Sequence, residues 1–410
     1  MPERHPPWAA WAGLLACALA LRLHGLGRSL WYDELVTLQS FATSGWAALT
    51  QQVGANNHPA ASLLAWFTPG SSELALRLPF ALLGALAPPA LAWSLWRWGW
   101  GRAGFLAGVA LAVSPPAVLL SQQVRGYAGL LLCAALLPGL ARGAPWRGGL
   151  VAALGLGFHL SFALAAAGWA GLRPRAARAW ALGLGLGAAV WGTAWLRAWP
   201  YARRALRAGD PGAGHRLGSR DLGVWLSGGS WVFGVAFLAA LAWGLTRLRR
   251  RERWLAGPLL GVLLLLALGA PGYPRFAAFA LPCACALVGR GLATLPWPRL
   301  GAGLLVLLAV APLGAQAQRE LQDLRGAAAL VRAEGATPYT AGFATETVRH
   351  YLPRVEEGGD AFLTARGPAA FVDPFPELSP PALRDALARD TRVSRIVLPG
   401  VHPVVVYLRR

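Results

Sequence analysis

Two carboxylates, Asp33 and Glu34, stand side by side directly after the first apolar run of a chain whose first 317 residues hold only seven acidic side chains. An ionised carboxylate near lipid is costly and persists where it has a partner or a reaction, so Arg28-Ser-Leu-Trp-Tyr-Asp33-Glu34-Leu reads as a site at a membrane surface. Other polar side chains fall in short clusters at the ends of apolar runs: Tyr32-Asp33-Glu34, Asn56-Asn57-His58-Pro59, Ser121-Gln122-Gln123-Val124-Arg125-Gly126-Tyr127, His159, and Tyr273-Pro274-Arg275-Phe276. Singly, such clusters are turn and cap sequences. They gain meaning if one side of a membrane gathers them.

The elements that must position these residues are apolar helices. Of 410 residues 56% are hydrophobic and 14% charged, and runs such as 78–96, 105–120 and 255–268 approach the length of about 20 residues that crosses a bilayer core. The chain is therefore expected to be mainly α, a polytopic transmembrane bundle over residues 1–317, followed by a small soluble α/β domain over 318–410. All 38 basic residues are Arg, and 26 of them face the seven acids of the first part, whereas 12 face 11 acids in the second. Nucleic-acid binding would want that excess on a soluble face, so no nucleic-acid partner is expected, and the bilayer is. Cys17, Cys133, Cys283 and Cys285 lie in apolar runs and suggest neither a disulfide framework nor a zinc site.

Arginine placement suggests the topology. With the amino terminus cytoplasmic and residues 8–26 retained as a first span, Asp33 and Glu34 fall outside, and the clusters at Arg97, Arg142, Arg173, Arg247 to Arg253 and Arg290 fall inside. This needs spans near 8–26, 77–97, 103–120, 126–141, 149–159, 160–172, 179–198, 223–245, 254–270, 275–295 and 300–316, with 149–172 divided near Phe158-His159 and the carboxyl end outside. Between the first two spans, 34–52 and 59–67 are expected as interfacial helices. An outer loop at 198–221 carries Arg203, Arg204, Arg207, Arg216 and Arg220 against the positive-inside trend, which suggests an outer anion. In the tail, helices are expected at 319–334, near 345–351 and from 379 to 389, with strands at 338–343, 395–399 and 403–408.

With these clusters in place, the chain resembles the C-type membrane glycosyltransferases, in particular the branch of the protein O-mannosyltransferases and the bacterial aminoarabinose transferase. The likeness spans nearly the whole chain: Trp31-Tyr32-Asp33-Glu34, Asn57-His58-Pro59, Gly70 to Pro79, Gln122 to Tyr127, Tyr273-Pro274-Arg275-Phe276 with Leu281-Pro282, and the tail segment from Asp323. It departs at Ala60, where the family usually has a second proline, and at Phe276, where it usually has Tyr. The resemblance implies an integral hexosyl or pentosyl transferase of the cell (plasma or inner) membrane. It would move a sugar from a polyprenyl-phosphate-linked donor to a lipid, glycan or protein acceptor on the outer face, with cell-envelope glycosylation as the outcome.

Phosphate leaves as a stabilised anion, so one carboxylate base suffices and direct displacement inverts the anomeric carbon. Asp33 is the expected base, with Glu34 as an assistant turned about 100° away on a helix. Arg275 and Arg125 are expected on the donor phosphate with Tyr127 and Tyr273, and Tyr32, Asn57, His58, His159 and Gln122 on sugar or acceptor. No cofactor is firmly implied and a divalent cation is left open. A transporter or flippase gripping the same lipid phosphate without chemistry is the alternative.

Overall fold

The computed structural model describes residues 8–49, 57–170, 174–207, 217–268, 273–376 and 379–409. The protein is mainly helical, with one small sheet near the carboxyl end. In chain order the helices are α1 (Trp8–Leu23), α2 (Tyr32–Val36), α3 (Pro59–Trp66), α4 (Glu73–Trp96), α5 (Gly101–Ala112), α6 (Pro115–Ser121), α7 (Tyr127–Gly143), α8 (Pro145–Phe158), α9 (Phe162–Trp169) and α10 (Pro174–Arg207). They continue with α11 (Ser219–Ser227), α12 (Trp231–Thr246), α13 (Gly257–Ala267), α14 (Leu281–Ala293, preceded without a break by a tighter turn over Pro274–Ala280), and α15 (Pro298–Gln318).

Three of the described helical stretches, Glu73–Trp96, Pro274–Ala293 and Pro298–Gln318, are long and apolar enough to cross a membrane, and five are if each sharply bent pair counts as one span. The sequence suggests eleven crossings; proline and glycine divide several of them into shorter pieces. Residues 103–120, expected as one span, are α5 and α6 bent by 61° at Ser114, which precedes Pro115-Pro116 and is held extended by them. The two prolines also withhold the N–H groups that the carbonyls of Leu111 and Ala112 would accept in a continuous helix. Buried Arg22 of α1 replaces both, donating to Ala112 O at 3.1 Å and Leu111 O at 3.3 Å. Residues 223–245, also expected as one span, turn by 102° between α11 and α12, where Gly228 (φ 61°) and Gly229 (φ 86°) adopt left-handed backbone.

The divided segment at 149–172 is present as α8 and α9, separated by His159-Leu160-Ser161. Helix α10 runs on to Arg207, so the expected outer loop begins as helix, and its stretch 208–216, with Arg216, lies outside the described residues, as does Asn56. After α2 the chain winds through wide and then tight turns to Leu49, kinked at Gly45 (φ 53°).

All strands among the described residues lie between 337 and 409: β1 (Thr337–Thr340), β2 (Glu356–Glu357), β3 (Ala369–Asp373), β4 (Val393–Leu398) and β5 (Val404–Arg409), ordered β2-β1-β3-β5-β4. β1 pairs in parallel with β2 and β3, while β5 pairs antiparallel with β3 and β4. Helices α16 (Leu324–Ala333), α17 (Thr345–Arg349), α18 (Gly359–Thr364) and α19 (Pro381–Arg389) accompany the sheet. Central β3 was not foreseen, because five consecutive buried residues lack the alternation that marks a half-exposed strand.

Candidate active site

Asp33 opens α2, and its Oδ2 is met at 3.0 Å by Arg125 Nη1 and at 3.0 Å by Arg275 Nη2. The two guanidiniums come from separate segments, Arg125 from the short connection between α6 and α7 and Arg275 from the turn leading into α14. The Asp33 side chain keeps 9% exposure, Arg275 19% and Arg125 2%, so this is a nearly dry cluster with a remaining opening on the Arg275 side. Two cations on one anion leave the trio with a net positive charge, the electrostatic condition for receiving a phosphate.

Glu34 faces elsewhere, as adjacent positions on a helix must. It is fully buried and grips Arg77 of α4 with both oxygens, Oε1 accepting from Nε at 2.8 Å and Oε2 from Nη2 at 2.5 Å. The same carboxylate accepts from the backbone N–H groups of Val124 (2.9 Å) and Trp31 (3.2 Å). Arg77 extends the knot to the carbonyls of Leu26, Arg28 and Ser29. Glu34 thus fastens the connection that carries Arg125 to the helix that carries Asp33. Arg77 received no role from the sequence; the available signal was an arginine inside an apolar helix, where a cation needs a counter-ion.

An aromatic and imidazole wall adjoins the trio. His58 and His159 stack at 4.8 Å, Tyr127 lies 4.9 Å from His159, and Phe276 lies 5.9 Å from it. Arg125 Nη2 donates to His58 Nε2 at 3.1 Å, and because an arginine has only donors, the His58 ring accepts there. Burial and then the Arg125 charge hold the His58 imidazole well below its ordinary pKa, which keeps it neutral. Arg275 lies over Tyr273 at 4.3 Å and over Trp31 at 5.3 Å.

Three more expected site residues have identified partners among the described residues. Gln122 spends its amide on the end of α1, donating to His24 O at 2.6 Å and accepting from Arg28 Nη2 at 2.7 Å. Buried Asn57 accepts from Ser62 Oγ at 3.0 Å inside α3. Tyr32 packs edge-on against Phe375 at 5.0 Å, and its backbone N–H donates to Gln322. The carboxyl-terminal region, for which the sequence suggests no site role, also contributes His402, stacked on Trp31 at 5.7 Å and 4° from parallel.

Among the described residues there is no group of three or more His, Cys, Asp or Glu that could hold a metal. The donor set at Asp33 does not fit a divalent cation, because its one carboxylate already sits between two guanidiniums and Glu34 is taken by Arg77.

No protein-family model matches the chain, and no curated protein matches it. Among solved structures, it superposes on the aminoarabinose transferase ArnT of Cupriavidus metallidurans in the apo state with a TM-score of 0.62 and 14% identity, covering 98% of each chain. ArnT bound to undecaprenyl phosphate gives 0.61 and 16%, again over 98% of each. The archaeal oligosaccharyltransferase AglB of Archaeoglobus fulgidus, in complex with an inhibitory peptide and a dolichol-phosphate, gives 0.55 and 10%, over 89% of this chain and 69% of that one. At these identities the likeness is one of fold, which the chain shares with ArnT and AglB.

Proposed function

We propose that the protein transfers a sugar from a polyprenyl-phosphate-linked donor to an acceptor hydroxyl on the outer face of the membrane, with inversion and with Asp33 as general base. The observation that carries this reading is the meeting of Arg125 and Arg275 on a single oxygen of Asp33. A donor phosphate entering the cluster competes for both guanidiniums and loosens their hold on Asp33. The carboxylate becomes a better base when the donor is in place.

In the reaction the acceptor oxygen forms a bond to the anomeric carbon and its proton passes to Asp33. The bond from that carbon to the phosphate oxygen breaks, and its electron pair remains on the phosphate, where Arg125 and Arg275 stabilise the added charge. A preorganised donor of this kind contributes about 3–4 kcal/mol to the barrier when it is removed singly from other sites. Neutral His58 fixes the second fork of Arg125 without adding a charge. Support for a lipid-phosphate donor comes from the fold shared with ArnT, which has been captured with undecaprenyl phosphate. In this reading the region 318–410 forms a domain outside the membrane.

The test is Asp33→Asn in full-length protein reconstituted in lipid and supplied with candidate polyprenyl-phosphate sugars, read by the mass of the acceptor. Turnover should fall at least about 100-fold, the usual contribution of a positioned base, in protein that still unfolds cooperatively, at a midpoint lowered because two guanidiniums lose their counter-ion. Near-normal turnover removes Asp33 as base. Movement of the lipid-linked sugar across the bilayer with no change in acceptor mass would make the protein a transporter.

A further inference from the structure

At the end of the bundle opposite Asp33 two clefts adjoin. One, a shallow and largely open depression of about 640 Å³, is lined by exposed Arg102 and Arg299, Trp297, Leu300 and two prolines, and the other, of about 320 Å³, by residues of α12, α14 and α15 including Ala240, Trp243, Leu292 and Leu304. Residues 296–300 of the first lie in sequence between Leu295 and Gly301 of the second, which sets a basic rim beside an apolar groove. Arg275 touches Asp33 at one end of the 20-residue helix Pro274–Ala293, and the clefts lie at its other end, where Gly291 and Leu292 line the second. At 1.5 Å per residue that places them roughly 30 Å from Asp33, about the thickness of the hydrocarbon core.

Among the described residues the charge of the rim meets no acid. Among the described residues neither Arg102 nor Arg299 makes a hydrogen bond or an ion pair, and Arg247, stacked over Trp243 at 4.0 Å, meets no acid. Glu252, the acid at this end, is occupied by Arg290 at 3.2 Å and by the Trp100 indole at 3.0 Å. Around the rim, Trp297 is 73% and Leu300 67% exposed, an indole and an aliphatic side chain turned outward where a bilayer's headgroups would begin. An apolar groove beside guanidinium forks that meet no acid matches a molecule with an acyl chain and a phosphate, because the planar fork pairs two-to-one with phosphate oxygens.

We propose that this groove is a binding site for an anionic phospholipid of the leaflet opposite the Asp33 cluster. Its phosphate lies between Arg102 and Arg299, and one acyl chain lies along Ala240, Leu292 and Leu304. The site is separate from the donor site and does not depend on the assignment of transferase activity.

Native mass spectrometry of the full-length protein, delipidated in detergent and titrated with dioleoyl phosphatidylglycerol or dioleoyl phosphatidylcholine, tests it. One phosphatidylglycerol should be retained in strong preference, and each guanidinium removed should cost about fivefold of that preference. Arg102→Gln with Arg299→Gln should therefore abolish most of it, while Arg175→Gln with Arg178→Gln, which removes equal charge from exposed positions elsewhere, should leave it intact. Ala240→Trp, which fills the groove and spares the charges, should weaken retention of both lipids. Equal retention of the two lipids by the unaltered protein, an unchanged preference in the Arg102/Arg299 variant, or an equal loss in the Arg175/Arg178 variant overturns the proposal.

Discussion

Asp33 and Glu34 are neighbours in sequence and differ entirely in circumstance. Asp33 retains a path to solvent and shares its charge with two guanidiniums that a phosphate can claim, whereas Glu34 is sealed against Arg77 and two backbone N–H groups. Removing one partner of a buried ion pair strands the other, at a cost of about 3–5 kcal/mol. Glu34→Gln should therefore lower the unfolding midpoint strongly in detergent or lipid. Glu34→Gln combined with Arg77→Met, which strands no charge, should recover part of the loss. A Glu34→Gln protein as stable as the original would mean that the knot does not hold the site together. The sequence makes the acid pair visible through the scarcity of acids around it, and helical geometry already sets Glu34 apart from Asp33. What it hides is the partner, because one arginine among 38 carries no mark of the carboxylate it meets 43 positions away.

The elements that aim these residues approach one another more closely than side chains ordinarily allow. Gly126, at the start of α7, has the carbonyl oxygen of Phe158, at the end of α8, 1.7 Å from where a β-carbon would sit, with the His58 β-carbon 3.2 Å away. The contact is with backbone, so no rotamer change relieves it. Gly126→Ala must push α8 outward and carry His159 away from His58 and Tyr127, loosening the wall behind Arg125. Overpacking of this kind costs about 1–3 kcal/mol. The expected result is a lowered unfolding midpoint together with a raised donor KM, measured on the same preparation; an unaltered KM would show that the wall does not shape the donor site. Such contacts also explain how far the helices could be read in advance. The division near Phe158-His159 was legible because a run long enough for one span lies between two basic turns, and a single crossing there would place Arg247 to Arg253 outside. The bends at Ser114 and Gly228 were not, since hydropathy windows pass smoothly over proline and glycine pairs. There Arg22, donating to the carbonyls that Pro115 and Pro116 cannot satisfy, restores in three dimensions what the local chain lacks.

At the scale of the whole molecule, the strand-like approach to the site is held from the carboxyl-terminal region. The N–H of Ser29 donates to Glu320, that of Leu30 to the Tyr351 hydroxyl at 2.8 Å, and that of Tyr32 to Gln322 at 3.0 Å. Burial pushes the Tyr351 phenol up to about 12, so it stays protonated as it accepts from Leu30 and reaches Glu73 of α4. Trp31 completes the connection, with His402 stacked on its ring and the Arg275 guanidinium 5.3 Å from the ring centroid. A region with no catalytic motif of its own thereby bears on the cation that faces Asp33. The sequence separates this region by its balanced charge but cannot show the clasp, since its members lie about 290 to 370 positions from the residues they hold. If the stack positions Arg275, then His402→Ala should act on donor binding more than on folding. A lost aromatic contact is worth about 0.5–1.5 kcal/mol, which corresponds to a rise of roughly twofold to thirteenfold in donor KM. Turnover at saturating donor and the affinity for acceptor should change little, because Asp33 and Arg125 are untouched. His402→Phe, which keeps a flat ring against Trp31, should restore most of the affinity, and a His402→Ala protein with unaltered donor KM would reduce the clasp to a purely mechanical tether.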